Sequence, residues 1–321
     1  MSHELEIVGG KANMVYVGEV PWHGLGTEIP PDLTPEQVLE KAGLDWTVEK
    51  QPCYVRLNGK LVEAGIQALV RSTDGKILTH VKDKWSPVQN IDAFNFFHEY
   101  VMAGDMEMHT AGSLKGGTIV WALARVKESF ELKTPQGKDV IESHLLFTNP
   151  HKFGQSTDVR FTPTRVVCNN TLTMALNGDT SNSQMVKVNH SRKFDAEKVK
   201  ETLGIANRYL NQYKDIAEFL ASKRYSKNSL IEYFNEVFPK IGGEEDESSR
   251  NSELAFSLIE KQPGAELAAG SWWQAYNAVT YMTDHVVGRS TGSRLHSAWY
   301  GINQKRKLDA LQTAKDYAMA A

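Results

Sequence analysis

Cationic side chains recur in three short clusters, each with polar or aromatic neighbours, and their common chemistry is the binding of a polyanion. The first cluster is Lys152, Arg160 and Arg165, and the second is Lys187, His190, Arg192 and Lys193. The third lies between Asp284 and Asp309, where no acidic residue intervenes and Arg289, Arg294, Lys305, Arg306 and Lys307 accompany His285, His296, Trp299 and Tyr300. A phosphate backbone needs several cations on one face, and unpaired bases need aromatic faces to stack on. Trp272, Trp273, Tyr276, Trp299 and Tyr300 are candidates for those faces, although Trp273, Tyr276, Val279 and Thr280 also have the spacing of a helical core stripe. Arg289-Ser290-Thr291-Gly292 is a loop of small donors suited to a phosphate. The competing reading is a solvated basic face that pairs with the acidic connector at 242–252.

Phe161 to Leu176, F-T-P-T-R-V-V-C-N-N-T-L-T-M-A-L, concentrates polar chemistry in an apolar setting. Proline disfavours the helical region for the residue before it, so Thr162-Pro163-Thr164 ends an extended segment and Arg165 to Val167 suit a short strand. Asn169 to Leu176 is expected to open a helix, with Asn169 or Asn170 as its N-cap. A helix start carrying asparagines beside an arginine suits an anion such as a phosphate. The alternative is that the asparagines only cap and Arg165 pairs with a carboxylate.

The same stretch is similar to the T-P-x-R-V-V-C-x-N-T-L signature of the phage and plasmid-like family known as domain of unknown function 932. Other motifs agree in order along nearly the whole chain. They are P-W-H-G-L-G (Pro21 to Gly26), W-S-P-V-Q-N (Trp85 to Asn90) and G-G-T-I-V-W-A-L-A-R (Gly116 to Arg125), then G-S-W-W-Q-A-Y-N-A-V-T-Y-M-T-D-H (Gly270 to His285) and S-R-L-H-S-A-W-Y-G (Ser293 to Gly301). The resemblance implies an origin in a mobile element and leaves the activity open.

The chain carries no G-x-x-x-x-G-K-[ST] phosphate loop, no G-x-G-x-x-G, no H-E-x-x-H and no G-x-S-x-G. Cys168 has His144, His151 and His190 within fifty residues, so a thiol nucleophile or a histidine metal site stays open as an alternative to a small buried cysteine and structural histidines. No cofactor and no metal are expected.

The elements that position these residues follow from turn and capping signals. The first 31 residues read as an extended arm anchored by Trp22, His23 and Leu25. Thr34-Pro35-Glu36-Gln37 is a capping box, and Gly43 ends its helix. Asn58-Gly59 joins strands Trp46 to Leu57 and Lys60 to Ser72, and another strand spans Ile77 to Val81. Asn90 is expected to cap a helix from Ile91 to Ala103. Met106 to Ala111 and Thr118 to Val126 form a hairpin across Gly116-Gly117, and separate strands are expected at Ser129 to Lys133 and Val140 to Phe147. Asn149 to Ser156 reads as a polar loop, and Gln184 to His190 as a strand. Helices are expected at 196–222, 226–238, 252–262, 271–287 and 303–319. Residues 242–252 form an acidic connector between two of them. The fold class is α+β: a meandering, mostly antiparallel sheet with one or two packed helices, then a helical C-terminal part. The boundary is drawn at 193, giving parts 32–193 and 194–321 that are able to share one core.

The chain has 321 residues, a net charge of −3 and two cysteines, with 41% hydrophobic residues. Its charge gives no global attraction to nucleic acid, so binding has to come from a local patch. No window approaches the roughly eighteen apolar residues of a membrane span, and the start lacks the pattern of a signal peptide. These features lead to the expectation of a cytoplasmic protein with no membrane partner. The first expectation for function is a mobile-element protein that binds single-stranded nucleic acid, annealing it in recombination or plasmid establishment, as a homo-oligomer. The alternatives are a protein-binding factor that counters a host defence, and an uncatalogued enzyme.

Overall fold

Thr34 offers a hydroxyl to the third amide of a helix, and Gln37 can return the bond. In the computed structural model both bonds form, at 3.4 and 3.0 Å, and open α1 (Pro35–Ala42). The structure describes residues 5–18, 25–103, 106–134, 136–155, 157–165, 170–171, 185–187, 210–240, 248–287, 297 and 301–321. Asn58 and Gly59, at φ 48° and 78°, turn β5 (Val48–Leu57) into β6 (Lys60–Arg71), and β7 (Ile77–Val81) completes a small antiparallel sheet in the order β5-β6-β7.

The main sheet comprises β8 (Glu107–Leu114), β9 (Ile119–Thr134), β10 (Gly137–Pro150), β11 (Asp158–Arg165), β12 (Asn170–Thr171) and β13 (Met185–Lys187), with two strands from the N-terminal segment. Those are β3 (Met14–Tyr16), which pairs with β8, and β4 (Thr27–Glu28), which is parallel to β3. A short ribbon, β1 (Ile7–Val8) with β2 (Lys11–Ala12), precedes them. The segment expected as an arm thus extends one side of the sheet, with β4 at its edge. The strand expected at 129–133 is the distal part of β9, continuous with the one expected at 118–126, and the strand expected at 140–147 is the body of β10. The register of this long pair shifts at a bulge between Glu142 and Ser143, where pairing passes from Ser129 to Val126.

Alternation along β9 and β10 puts Ala122, Ala124, Val126, Ile141, Leu145 and Phe147 on one buried face. Helix α2 (Asn90–Ala103) covers one end of that face, with the Phe97 and Phe147 rings stacked at 4.9 Å. The other end lies under α3 (residues 210–222) and α6 (Trp272–Tyr281), where the Tyr213 ring meets Phe130 at 6.3 Å and Trp273 at 5.9 Å. Around α6 stand α4 (Lys227–Val237), α5 (Arg250–Leu258) and α7 (Ile302–Ala320). One hydrophobic cluster runs from α1 through the sheet to α7. No helix among the described residues is long and apolar enough to cross a membrane.

Several expectations are corrected. Asn90 does not cap α2. Its amide donates to Leu44 O at 2.9 Å and to Trp46 O at 3.4 Å, while its Oδ1 meets His151 Nε2 at 2.8 Å. Asn149 and His151 are buried, so the polar loop starts only at Lys152. Asn170 and Thr171 pair with Arg165 and Thr164 as a strand, which removes Asn170 as a helix N-cap. Ser249 caps α5, and Ser252 lies inside that helix with its hydroxyl on Asn235.

Candidate functional site

The β8–β9 turn is built by residues that cannot close it tightly without glycine. Lys115 (φ 50°), Gly116 and Gly117 all occupy the left-handed region, and a side chain on Gly116 would collide with the Lys76 ammonium. Gly117 faces less yielding neighbours, because a Cβ there would sit 2.7 Å from the ion-paired Arg71 Nη1 and 3.4 Å from the Trp46 ring. Arg71 fixes this corner. It donates to Glu6 at 2.6 Å and to both oxygens of Asp74 at 2.9 and 2.6 Å, and its guanidinium lies 5.3 Å from the Trp46 ring centre. Glu6 also accepts from Ser113 at 3.1 Å and Asn13 at 3.2 Å, so the buried carboxylate is well satisfied. Those contacts hold Asp74 down at about 2 and raise Arg71 further above its usual range.

A second loop is pinned against this turn. His151 N donates to Thr118 O at 2.9 Å, and Asn149 donates to Val88 O while accepting from Thr157. The two loops and β7 enclose a cleft of about 320 Å³ lined by Leu78, Thr79, Lys115, Thr118, Ile119, Lys152 and Gln155. Its floor is apolar, and its rim carries two exposed lysines, two hydroxyls and an amide. Lys76, 3.8 Å from Glu6, borders the turn. Beside Lys152 the Phe153 ring is 54% exposed. This arrangement can hold an anion between ammonium groups and present an aromatic face next to it.

Of the residues singled out from sequence, Lys152 lies on this cleft. Lys305 is exposed on the first turns of α7, and Arg306 there is half-buried over Phe238 at 5.2 Å, with a bond to Asn303. Lys307, grouped with them in sequence, is buried and bonded to Asp284 at 2.9 Å, so it adds nothing to a cationic surface. Position 160 stands opposite Leu146 and position 165 opposite Ile141 on β10. Position 187 stands opposite Asp158 on β13. Asn169, Arg192, Lys193, Arg289 and Arg294 lie outside the described residues, as do Cys168, His190, Trp299 and Tyr300.

Trp272, Trp273 and Tyr276 are buried, so they form core and no stacking platform. His144 and His151 are seven residues apart along an extended chain, roughly 20 Å, and do not converge on a metal. Among the described residues no group of three potential metal ligands forms. Sequence reasoning missed Lys76, Lys115, Thr118 and Phe153. The signal was present in Lys115-Gly116-Gly117-Thr118, which puts an ammonium and a hydroxyl on one tight turn.

The geometry defines an α+β protein with a cationic cleft at one end of its main sheet. The family described as a domain of unknown function (DUF932) matches residues 77–299, well over half of the chain, and the protein belongs to it. No curated protein and no solved structure matches it.

Proposed function

We propose that this protein binds single-stranded nucleic acid in the service of a phage or plasmid, annealing strands during recombination or establishment. The observation that carries the reading is the cleft where Lys115 and Lys152 face one apolar floor with Phe153 exposed beside them. Two ammonium groups and two hydroxyls suit consecutive phosphates, and the phenyl ring suits an unpaired base. An arrangement that grips backbone and stacks on any base needs no sequence-specific donor pattern.

The test is fluorescence anisotropy of a labelled oligonucleotide titrated with the full chain at several salt concentrations. Binding is expected to weaken linearly in log–log form, with a slope of about −0.7 for each phosphate neutralised. Lys115→Glu with Lys152→Glu should flatten that slope and lower affinity at least tenfold. Phe153→Ala should lower affinity with the slope unchanged. Wild-type protein that leaves the anisotropy flat, or a double variant that binds as tightly as wild type, would overturn the reading.

A further inference from the structure

The β5–β6 ribbon leaves the body of the protein after a bulge at Pro52/Tyr54. Its base is anchored: Lys50 Nζ donates to Asp83 O at 2.7 Å and to Trp85 O at 3.2 Å, and Gln67 donates to Asp83 at 2.8 Å. Beyond that base every residue from 54 to 63 is exposed. The exposed residues include Tyr54 at 56%, Val55 at 44%, Leu57 at 57%, Leu61 at 66% and Val62 at 45%. β7 pairs only with Gln67 to Val70, so both edges of the distal ribbon are open. A two-stranded ribbon with neither face covered is marginal in water, and open apolar edges invite pairing. By alternation Tyr54 and Leu61 lie on one face and Val55, Leu57 and Val62 on the other, so each face exposes on the order of two hundred Å² of apolar surface.

The ribbon's charge pattern identifies what covers it. Tyr54 stands opposite Glu63 and Arg56 opposite Leu61, so these four share one face, with Tyr54 and Leu61 on one diagonal and Arg56 and Glu63 on the other. Among the described residues neither Arg56 nor Glu63 makes an ion pair. We infer that this face docks on the same face of a second copy of the chain. A two-fold axis along the Tyr54–Leu61 diagonal lays Tyr54 on Tyr54 and Leu61 on Leu61. It also places each Arg56 against the other copy's Glu63. A contact of this kind is isologous and closes at two copies. The two ribbons cross steeply, as sheets do in orthogonal packing.

Sedimentation velocity on the full chain tests the pairing directly, because all four positions are solvent-exposed and tolerate substitution without a cost to the fold. Wild type is expected to sediment with twice the chain mass. Arg56→Glu and Glu63→Arg should each sediment as monomers, since each sets like charges against one another. The double variant carrying both changes should recover the dimer. Mixing the two single variants should likewise give a mixed dimer. The inference is overturned if wild type stays monomeric across the concentration range, or if the single variants dimerise as well as wild type. It is equally overturned if neither the double variant nor the mixture recovers the dimer, or if Val55→Ser with Leu57→Ser dissociates the dimer while both charge variants leave it intact.

Discussion

Arg71 joins three parts of the chain that are distant in sequence: Glu6 in the N-terminal segment, the Asp74 turn, and Trp46 ahead of β5. Its side chain is 4% exposed and that of Glu6 is 5% exposed, so neither charge has water to fall back on. Arg71→Met keeps the packing against Trp46 and strands the carboxylate. The expected loss is about 3–5 kcal/mol in urea unfolding, partly recovered when Glu6→Gln is added. The buried histidines give a second test at this scale. Burial, helped by the neighbouring His109 and Arg125, pushes His144 down to about 3, and burial alone pushes His151 down to about 4. Between those values and the ordinary 6.5, the unfolded chain binds more protons than the folded one. Stability is therefore full above about pH 6.5 and falls as the pH drops towards 4, by up to about 1.4 kcal/mol per pH unit for each histidine. Among the described residues neither His144 ring nitrogen has a hydrogen-bond partner. His144→Leu should thus remove one proton's worth of slope from stability measured between pH 7 and 5, at little cost at pH 7.

Among the elements, the pieces legible from sequence were those whose instructions are local. The Thr34 capping box, the Asn58-Gly59 turn and the helix starts expected at Ser226 and Ser271, where each serine caps, depend on side chains bonding or turning their own backbone, and they stand where the spacing puts them. Asn90 and Asn170 were misread because asparagine serves equally as a cap, a strand residue or a buried strut. Only tertiary partners such as Leu44 O and His151 decide among these roles. The cleft was half legible for the same reason. Lys152 was visible as a loop cation, but its convergence with Lys115 depends on bonds between loops that no local pattern records. The docking of α6 on β10 is another long-range instruction. Trp273 Nε1 donates to the buried Asp139 carboxylate at 2.9 Å across 134 residues of sequence. Trp273→Phe removes this donor and leaves a gap in the aromatic contact with Tyr213. It should cost about 1–3 kcal/mol in denaturant unfolding, with Asp139→Asn recovering part of the loss.

For the molecule as a whole, that docking decides whether the sheet and the helical part unfold together. A single apolar cluster joins Val38 and Phe97, through Ala124 and Ile141, to Trp273 and Ala314. The part after 210 has no separate core of its own among the described residues, because Tyr213, Trp273 and Tyr276 complete the same cluster that Phe130 and Leu132 enter from the sheet. Separating the two would expose these aromatic rings and leave Asp139 without its indole donor, which makes a half-folded intermediate costly. One cooperative transition is therefore expected by calorimetry. Tryptophan fluorescence, which reports on the sheet part through Trp46, Trp85 and Trp121 and on α6 through Trp272 and Trp273, should give the same midpoint as the far-ultraviolet signal of the sheet and helices. In Trp273→Phe that single transition should move to lower temperature without dividing. Two resolved transitions in the wild type would mean that the shared cluster does not couple the parts, and that the helical portion holds together without the sheet beneath it.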